Sequence, residues 1–272
     1  MTNLEIGKSI TVNGIKTNYH DVGEGRPVIL IHGSGPGVTA WANWRMNLPV
    51  LAEGARVIAP DMLGFGYTDR PADSKYTMER WCDHLIGLAD ALGLDDFDIV
   101  GNSFGGALAV SMAANHPQRV RKMVLMGAAG IDFELTEALD KVWGYEPSIK
   151  AMREMLDIFA YDNSLVSDEL AELRYKASIQ PGFQEAFSAM FPAPRQQHIT
   201  ALSTPEDQIA KIECETLILH GREDTVLPMS NSLRFLDLIK NSELHVFGKC
   251  GHWTQIEHKD TFNKMVSDFL AR

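Results

Sequence analysis

The sequence predicts an α/β chain: a mostly parallel eight-stranded sheet flanked by helices, with a helical block inserted late in the chain. Three observations carry this reading. Short apolar runs of strand length recur between stretches of helical periodicity. One such run, Phe97 to Val100, leads through Gly101-Asn102-Ser103-Phe104-Gly105-Gly106 into the helix-forming Ala107-Leu108-Ala109-Val110, the strand, Gly-x-Ser-x-Gly, helix context of a nucleophile elbow. From about Phe133 to Pro205 strand-like runs stop and amphipathic helical segments take over. The chain therefore divides into a core, 1–132 and 206–272, and a helical lid, 133–205.

Lys8 to Val12 alternates like a strand, Asn13-Gly14 supplies a hairpin turn, and Ile15 to Tyr19 returns as the second strand. Pro27 to Ile31 is a continuous apolar run, as a strand buried on both faces should be, and it ends in the loop His32-Gly33-Ser34-Gly35-Pro36-Gly37. Trp41 to Leu51 reads as a helix and Arg56 to Pro60 as a strand closed by Asp61-Met62-Leu63-Gly64-Phe65-Gly66. Tyr76 to Leu92 has helical periodicity, with Thr77 as N-cap and Gly93 beyond its C-terminus. After the elbow strand and helix comes the strand Lys122 to Met126. The lid helices are expected at Pro147 to Phe159, Ser167 to Ser178 and Phe183 to Met190. The rhythm resumes with strands Glu215 to His220 and Glu243 to Phe247, and helices Met229 to Ile239 and Lys259 to Leu270.

The 272 residues carry a formal charge of −11, with a pI near 5.3 and a mean hydropathy of −0.12. That balance argues against nucleic acid and anionic membrane as partners. No apolar stretch is long enough to span a bilayer. Cys82, Cys214 and Cys250 are odd in number and far apart, which suits free thiols in a reducing compartment. Met1-Thr2-Asn3-Leu4-Glu5 lacks a signal-peptide pattern, so a cytoplasmic location is expected. The glycine-rich loops fit neither a dinucleotide nor a phosphate fingerprint, no His/Cys cluster has metal-ligand spacing, and neither a metal nor a cofactor is expected.

Serine is a poor nucleophile at neutral pH unless a base takes its proton and an acid orients that base. Asp224 and His252 each follow a predicted strand, so they belong at the same sheet edge as Ser103, and the order Ser, Asp, His suits this topology. Glu223 rivals Asp224, and His32 rivals His252, although in a His-Gly-x-Gly loop it is better placed to bond the loop itself. Asp61 precedes the serine and is expected to tie down the Gly64-Phe65-Gly66 turn. The backbone N–H groups of Phe104 and Ser34 are the expected oxyanion-hole donors.

These loops, with Trp41-x-Asn43-Trp44, Leu173-Arg174-Tyr175, His220-Gly221-Arg222-Glu223-Asp224 and Gly251-His252-Trp253, resemble the α/β-hydrolase fold, and within it the meta-cleavage product hydrolases of the monoalkylbenzene type. The resemblance covers nearly the whole chain. It implies serine-dependent hydrolysis of the C–C bond next to the 6-oxo group of a 2-hydroxy-6-oxo-alka-2,4-dienoate, without a cofactor. It implies that Arg174 holds the substrate carboxylate, with Asn43, Asn102 and Trp253 at the polar end. Apart from the resemblance, Arg174 reads as a surface ion pair with Glu169 or Glu172. The resemblance also implies that Ala129, Leu139, Trp143, Ile199 and Val226 form the apolar pocket for the C6 group, with room beyond a methyl but none comfortable for a phenyl. Members are commonly dimers or larger, and the same is expected here. The competing readings are a carboxylesterase or lactonase with the same triad and, from another class, a non-catalytic binding protein on this fold.

Overall fold

Eight strands form one sheet in the order β1-β2-β4-β3-β5-β6-β7-β8. The structure is a computed structural model that describes residues 3–71 and 75–272; Met1 and Thr2, part of the stretch read for a leader, lie outside the described residues. β1 (Lys8–Val12) and β2 (Ile15–Val22) make the antiparallel hairpin. Its turn residues Asn13 and Gly14 have φ of 50° and 81°, the left-handed geometry that Asn-Gly accommodates at low cost. β2 runs antiparallel to β4, and every later pairing is parallel. β3 (Pro27–Ile31) and β4 (Arg56–Pro60) match the expected strands.

The expected single helix over Trp41 to Leu51 is instead two short ones, α1 (Ala40–Trp44) and α2 (Leu48–Leu51). Pro49 has no N–H to give, and its ring would clash with the carbonyl four residues back in a continuous helix. The break frees buried Asn47, whose Nδ2 donates to Gln255 O at 3.1 Å and Asn263 Oδ1 at 2.8 Å. α3 (Met78–Ala91) starts at the expected cap, Thr77 accepting from Arg80 N. β5 (Phe97–Asn102) feeds α4 (Phe104–Asn115), and β6 (Val120–Met126) follows.

Between β6 and β7 the chain passes through α5 (Glu137–Trp143), α6 (Ile149–Phe159), a 3₁₀ turn at Asn163–Leu165, α7 (Asp168–Ser178), α8 (Phe183–Met190), α9 (Gln196–Leu202) and α10 (Glu206–Ile209). Ser148 and Ser167 cap α6 and α7 by accepting from Ala151 N and Leu170 N. The sheet closes with β7 (Glu215–Gly221), α11 (Met229–Leu238), β8 (Ser242–Phe247), α12 (Thr254–Glu257) and α13 (Lys259–Ala271).

Strand residues point alternately into two apolar layers. Ile29, Ile31, Ile58, Ile99 and Ile218 face the layer packed by α3 and α4, with Trp81, Leu85 and Leu108. Val28, Leu30, Val57, Val100, Leu217 and Leu219 face Trp44, Leu48, Phe262 and Val266 on the other side. Burial on both faces explains the continuous apolar runs. Because β3, β5, β7 and β8 are parallel, the loops after them open at one edge of the sheet. No helix among the described residues is long and apolar enough to cross a membrane.

Candidate active site

Ser103 sits at the turn between β5 and α4 with φ 54° and ψ −114°, a conformation that costs a residue with a side chain about 1–3 kcal/mol. Close packing enforces it. A Cβ on Gly101 would lie 2.3 Å from Gly105 O, and one on Gly105 would lie 2.4 Å from Ile31 O. Ser103 N donates to Met126 O at 2.9 Å, and Ser103 O accepts from Gly106, Ala107 and Ala129 N–H groups. Among the described residues, neither Phe104 nor Ser34 N–H donates to a backbone acceptor, so both donors are available at the elbow.

Asp224 and His252 meet as the strand ends require: His252 Nδ1 lies 2.7 Å from Asp224 Oδ2. Asp224 Oδ1 accepts from Val226 N at 2.8 Å and Leu227 N at 3.0 Å. Burial works to raise the Asp224 carboxyl. His252 and His220 beside it, with the Leu227 N–H, outweigh burial and hold it below its ordinary value. An ionised Asp224 fixes the proton of His252 on Nδ1 and leaves Nε2 free to accept. Ser103 and His252 line the same cavity, and no hydrogen bond joins their side chains among the described residues. Glu223 turns away, accepting from Cys250 N and Arg222.

His32 is wholly buried. Met62 N donates to its Nε2 at 3.0 Å, so Nδ1 carries the proton and donates to Gly33 O at 2.8 Å. Burial pushes this ring down to about 4, which suits a neutral loop brace. Asp61 accepts from Ala40, Tyr67 and Asn18 groups and fixes the turn after β4, and burial pushes its carboxyl up to about 6.

Ser103 lines two cavities. The larger, about 240 Å³, takes in Ser34, Asn43, Asn102, Arg174, His252 and Trp253. The smaller, about 10 Å³, is walled by Ala129, Leu139, Trp143 and Ile199, with Leu227 where Val226 was expected. Val226 is buried, but its backbone serves Asp224 and its side chain does not reach this wall. Trp143 stacks on Phe191 at 4.3 Å and donates through Nε1 to Ser34 Oγ at 3.1 Å, tying α5 to the loop after β3.

Arg174 pairs with neither Glu169 nor Glu172. Its Nη1 contacts Glu5 Oε1 at 3.2 Å and its Nη2 donates to Gly37 O. Burial lowers this guanidinium, and the Glu5 carboxylate opposes that effect. Sequence reasoning did not find Glu5, because it is 169 positions from its partner. It also missed Gln255, fully buried on α12 at the larger cavity with neither amide atom bonded to protein, and Phe159, whose ring stacks on His252 and Trp253. Among the described residues, no group of three His, Cys, Asp or Glu side chains is placed to hold a metal ion.

This sheet, elbow and loop order define a hydrolase of the α/β type, and the chain belongs to the alpha/beta hydrolase fold family, which it matches over residues 26–259. Within that family it is a meta-cleavage product hydrolase. It is 61% identical to the 2-hydroxy-6-oxo-2,4-heptadienoate hydrolase of Pseudomonas putida (strain F1) over 99% of this chain and 98% of that one. It is 59% identical to a 2-hydroxymuconate semialdehyde hydrolase of Pseudomonas sp. (strain CF600), over 98% of this chain and 94% of that one. Its fold superposes with a TM-score of 0.98 on the S103A mutant of a meta-cleavage product hydrolase from Pseudomonas fluorescens IP01 complexed with acetates, at 62% identity and 99% coverage of both chains.

Proposed function

We propose that the protein hydrolyses the C–C bond beside the 6-oxo group of 2-hydroxy-6-oxo-alka-2,4-dienoates, giving 2-hydroxypenta-2,4-dienoate and a small carboxylic acid. The observation that carries this reading is the position of Ser103 between two unlike cavities, one with a cationic end and one small and apolar. A dienoate has matching ends, a carboxylate and an alkyl ketone. Arg174 takes the carboxylate with a planar fork of donors. Asn43, Asn102 and Trp253 lie along the polar part. Ala129, Leu139, Trp143 and Ile199 hold the C6 group, and so little free volume suits a short alkyl better than a phenyl.

The dienol first becomes its keto tautomer as the 2-hydroxyl loses its proton and C5 gains one, which lets the departing fragment leave as a stabilised carbanion. His252 then takes the Ser103 proton, and Ser103 Oγ attacks C6. The resulting oxyanion is held by the Ser34 and Phe104 N–H groups, each such donor being worth roughly 10²–10³ in rate. The C5–C6 bond breaks, its electrons pass into the dienolate, and the His252 imidazolium, held by ionised Asp224, gives its proton to that fragment, which leaves as 2-hydroxypenta-2,4-dienoate and returns His252 to its neutral form. Water, deprotonated by His252, hydrolyses the acyl-enzyme. Residues 133–205 act as a lid that encloses the two cavities. A cytoplasmic location is supported by three free thiols, and an assembly of two or more copies by the resemblance alone.

The test is loss of the yellow dienolate absorbance with C6-methyl, isopropyl and phenyl substrates, with Ser103→Ala as control. Methyl and isopropyl should bleach much faster than phenyl, and the variant should not turn over. Steady hydrolysis of p-nitrophenyl esters with no bleaching of any dienoate would sink the proposal.

A further inference from the structure

One carboxylate outside the triad bridges two distant segments beneath the larger cavity. Glu257 lies in α12, just over one turn beyond His252. Its Oε1 accepts from Gly251 N at 2.7 Å. Its Oε2 accepts from Tyr161 N at 2.8 Å and Asp162 N at 3.1 Å, in the stretch that leaves α6. The same two segments meet again without it: His252 N donates to Phe159 O at 2.8 Å, and the Phe159 ring stacks on the His252 ring at 5.7 Å. Gly251 permits this approach, since a Cβ there would lie 2.7 Å from Phe159 O and 2.8 Å from Tyr161 N. α6 in turn supplies Met152, Met155 and Leu156 to the cavity wall.

We propose that Glu257 is a positioning residue for the general base: by tying the loop that carries His252 to the exit of α6, it makes the imidazole and that cavity wall one mechanical unit. The proposal rests on the reading of His252 as the base. A carboxylate suits this place because it only accepts, so it serves three N–H donors at once. Glutamine has nearly the same volume but one accepting oxygen, and its NH₂ would face a donor. It can serve Gly251 or the Tyr161–Asp162 pair, not both. Charge-assisted bonds to backbone N–H groups are also the stronger kind, so their loss releases the loop rather than weakening it slightly.

The test compares wild type, Glu257→Gln and Tyr161→Pro, the last removing one donor while leaving the carboxylate in place. Ala160, which precedes it, has ψ 137°, as a residue before proline requires. Each is assayed on a C6-methyl dienoate and on p-nitrophenyl acetate, per serine titrated by a phosphonate, with hydrogen exchange followed by mass spectrometry. Glu257→Gln should lower kcat at least tenfold on both substrates with KM within threefold, and Tyr161→Pro should lower it by less. Amides around 158–162 and 249–253 should lose protection together while those of the elbow keep theirs. Wild-type kcat per titrated serine in both variants overturns the proposal, whatever happens to Tm, and so does a rise in KM alone. If wild type hydrolyses the ester but bleaches no dienoate, the substrate reading fails, and the ester data still decide the role of Glu257.

Discussion

Under the proposed function, Arg174 is the single side chain on which the substrate class turns. A charge-assisted hydrogen bond contributes about 1.5–3 kcal/mol, roughly a 10- to 100-fold change. Arg174→Gln should therefore lower kcat/KM on a dienoate at least tenfold and leave p-nitrophenyl acetate, which has no carboxylate, within a few-fold of wild type. Equal losses on both substrates would mean that Arg174 acts only through its pairing with Glu5. On the other side of the serine, the proposed size-setting residue is Ala129. It walls a cavity of about 10 Å³, so two added methyl carbons have nowhere to go but the ligand's space. Ala129→Val should depress turnover of the isopropyl substrate more than that of the methyl one, and an unchanged ratio would remove Ala129 from the specificity pocket. Ser103, Asp224 and His252 could be singled out in the sequence because each lies in the loop that closes a predicted strand, Ser103 right after β5 and the other two a few residues past β7 and β8. Glu5 and Glu257 were not, because nothing near them in the chain encodes a partner 169 or 96 positions away.

Elements of strand length and long helices were legible for the same reason that they are stable: their apolar period matches the layer they face. The short ones were not. α2, α10 and α12 have four residues each, about one turn, which is too few to display a period. Their positions depend on tertiary bonds. Asn47 shows this at the break between α1 and α2, where its Nδ2 reaches across 208 positions to Gln255 O and 216 to Asn263 Oδ1. Removing it strands a buried carbonyl and a buried amide oxygen, at a cost of about 1–3 kcal/mol. Asn47→Ala should lower the urea midpoint accordingly without changing the slope. Since Gln255 shares α12 with Glu257, the same variant should loosen the loop after His252 before it affects the elbow. Full retention of stability would show that this amide is replaced by solvent.

At the scale of the whole molecule, the balance of buried titratable groups sets its response to acid. Burial pushes His32 and His84 down to about 4 from 6.5, and no carboxylate compensates either ring. Each then binds fewer protons in the native state than in the unfolded chain between those values. Its stabilising contribution is complete above 6.5 and is lost as pH falls toward 4, about 3 kcal/mol per histidine. Asp61 acts oppositely: burial raises it from 3.8 to about 6, so protonation favours the native state by about 3 kcal/mol over that window. Two histidines outweigh one aspartate. Between 6.5 and 6 only the histidines titrate, so the loss begins there, before Asp61 responds. The depressed Asp224 carboxyl adds to the loss at lower pH. Urea unfolding at a series of pH values from 7 to 4 should show stability falling throughout, by about 3 kcal/mol or more. His84 bridges α3 to β2 through a 2.8 Å contact with Thr17 Oγ1. His84→Gln keeps a hydrogen-bonding group there but removes one titration worth about 3 kcal/mol, so it should lower stability at pH 7 and remove most of the pH dependence. A variant as acid-sensitive as wild type would place the acid response elsewhere, with the carboxylates at the triad end of the sheet next in line.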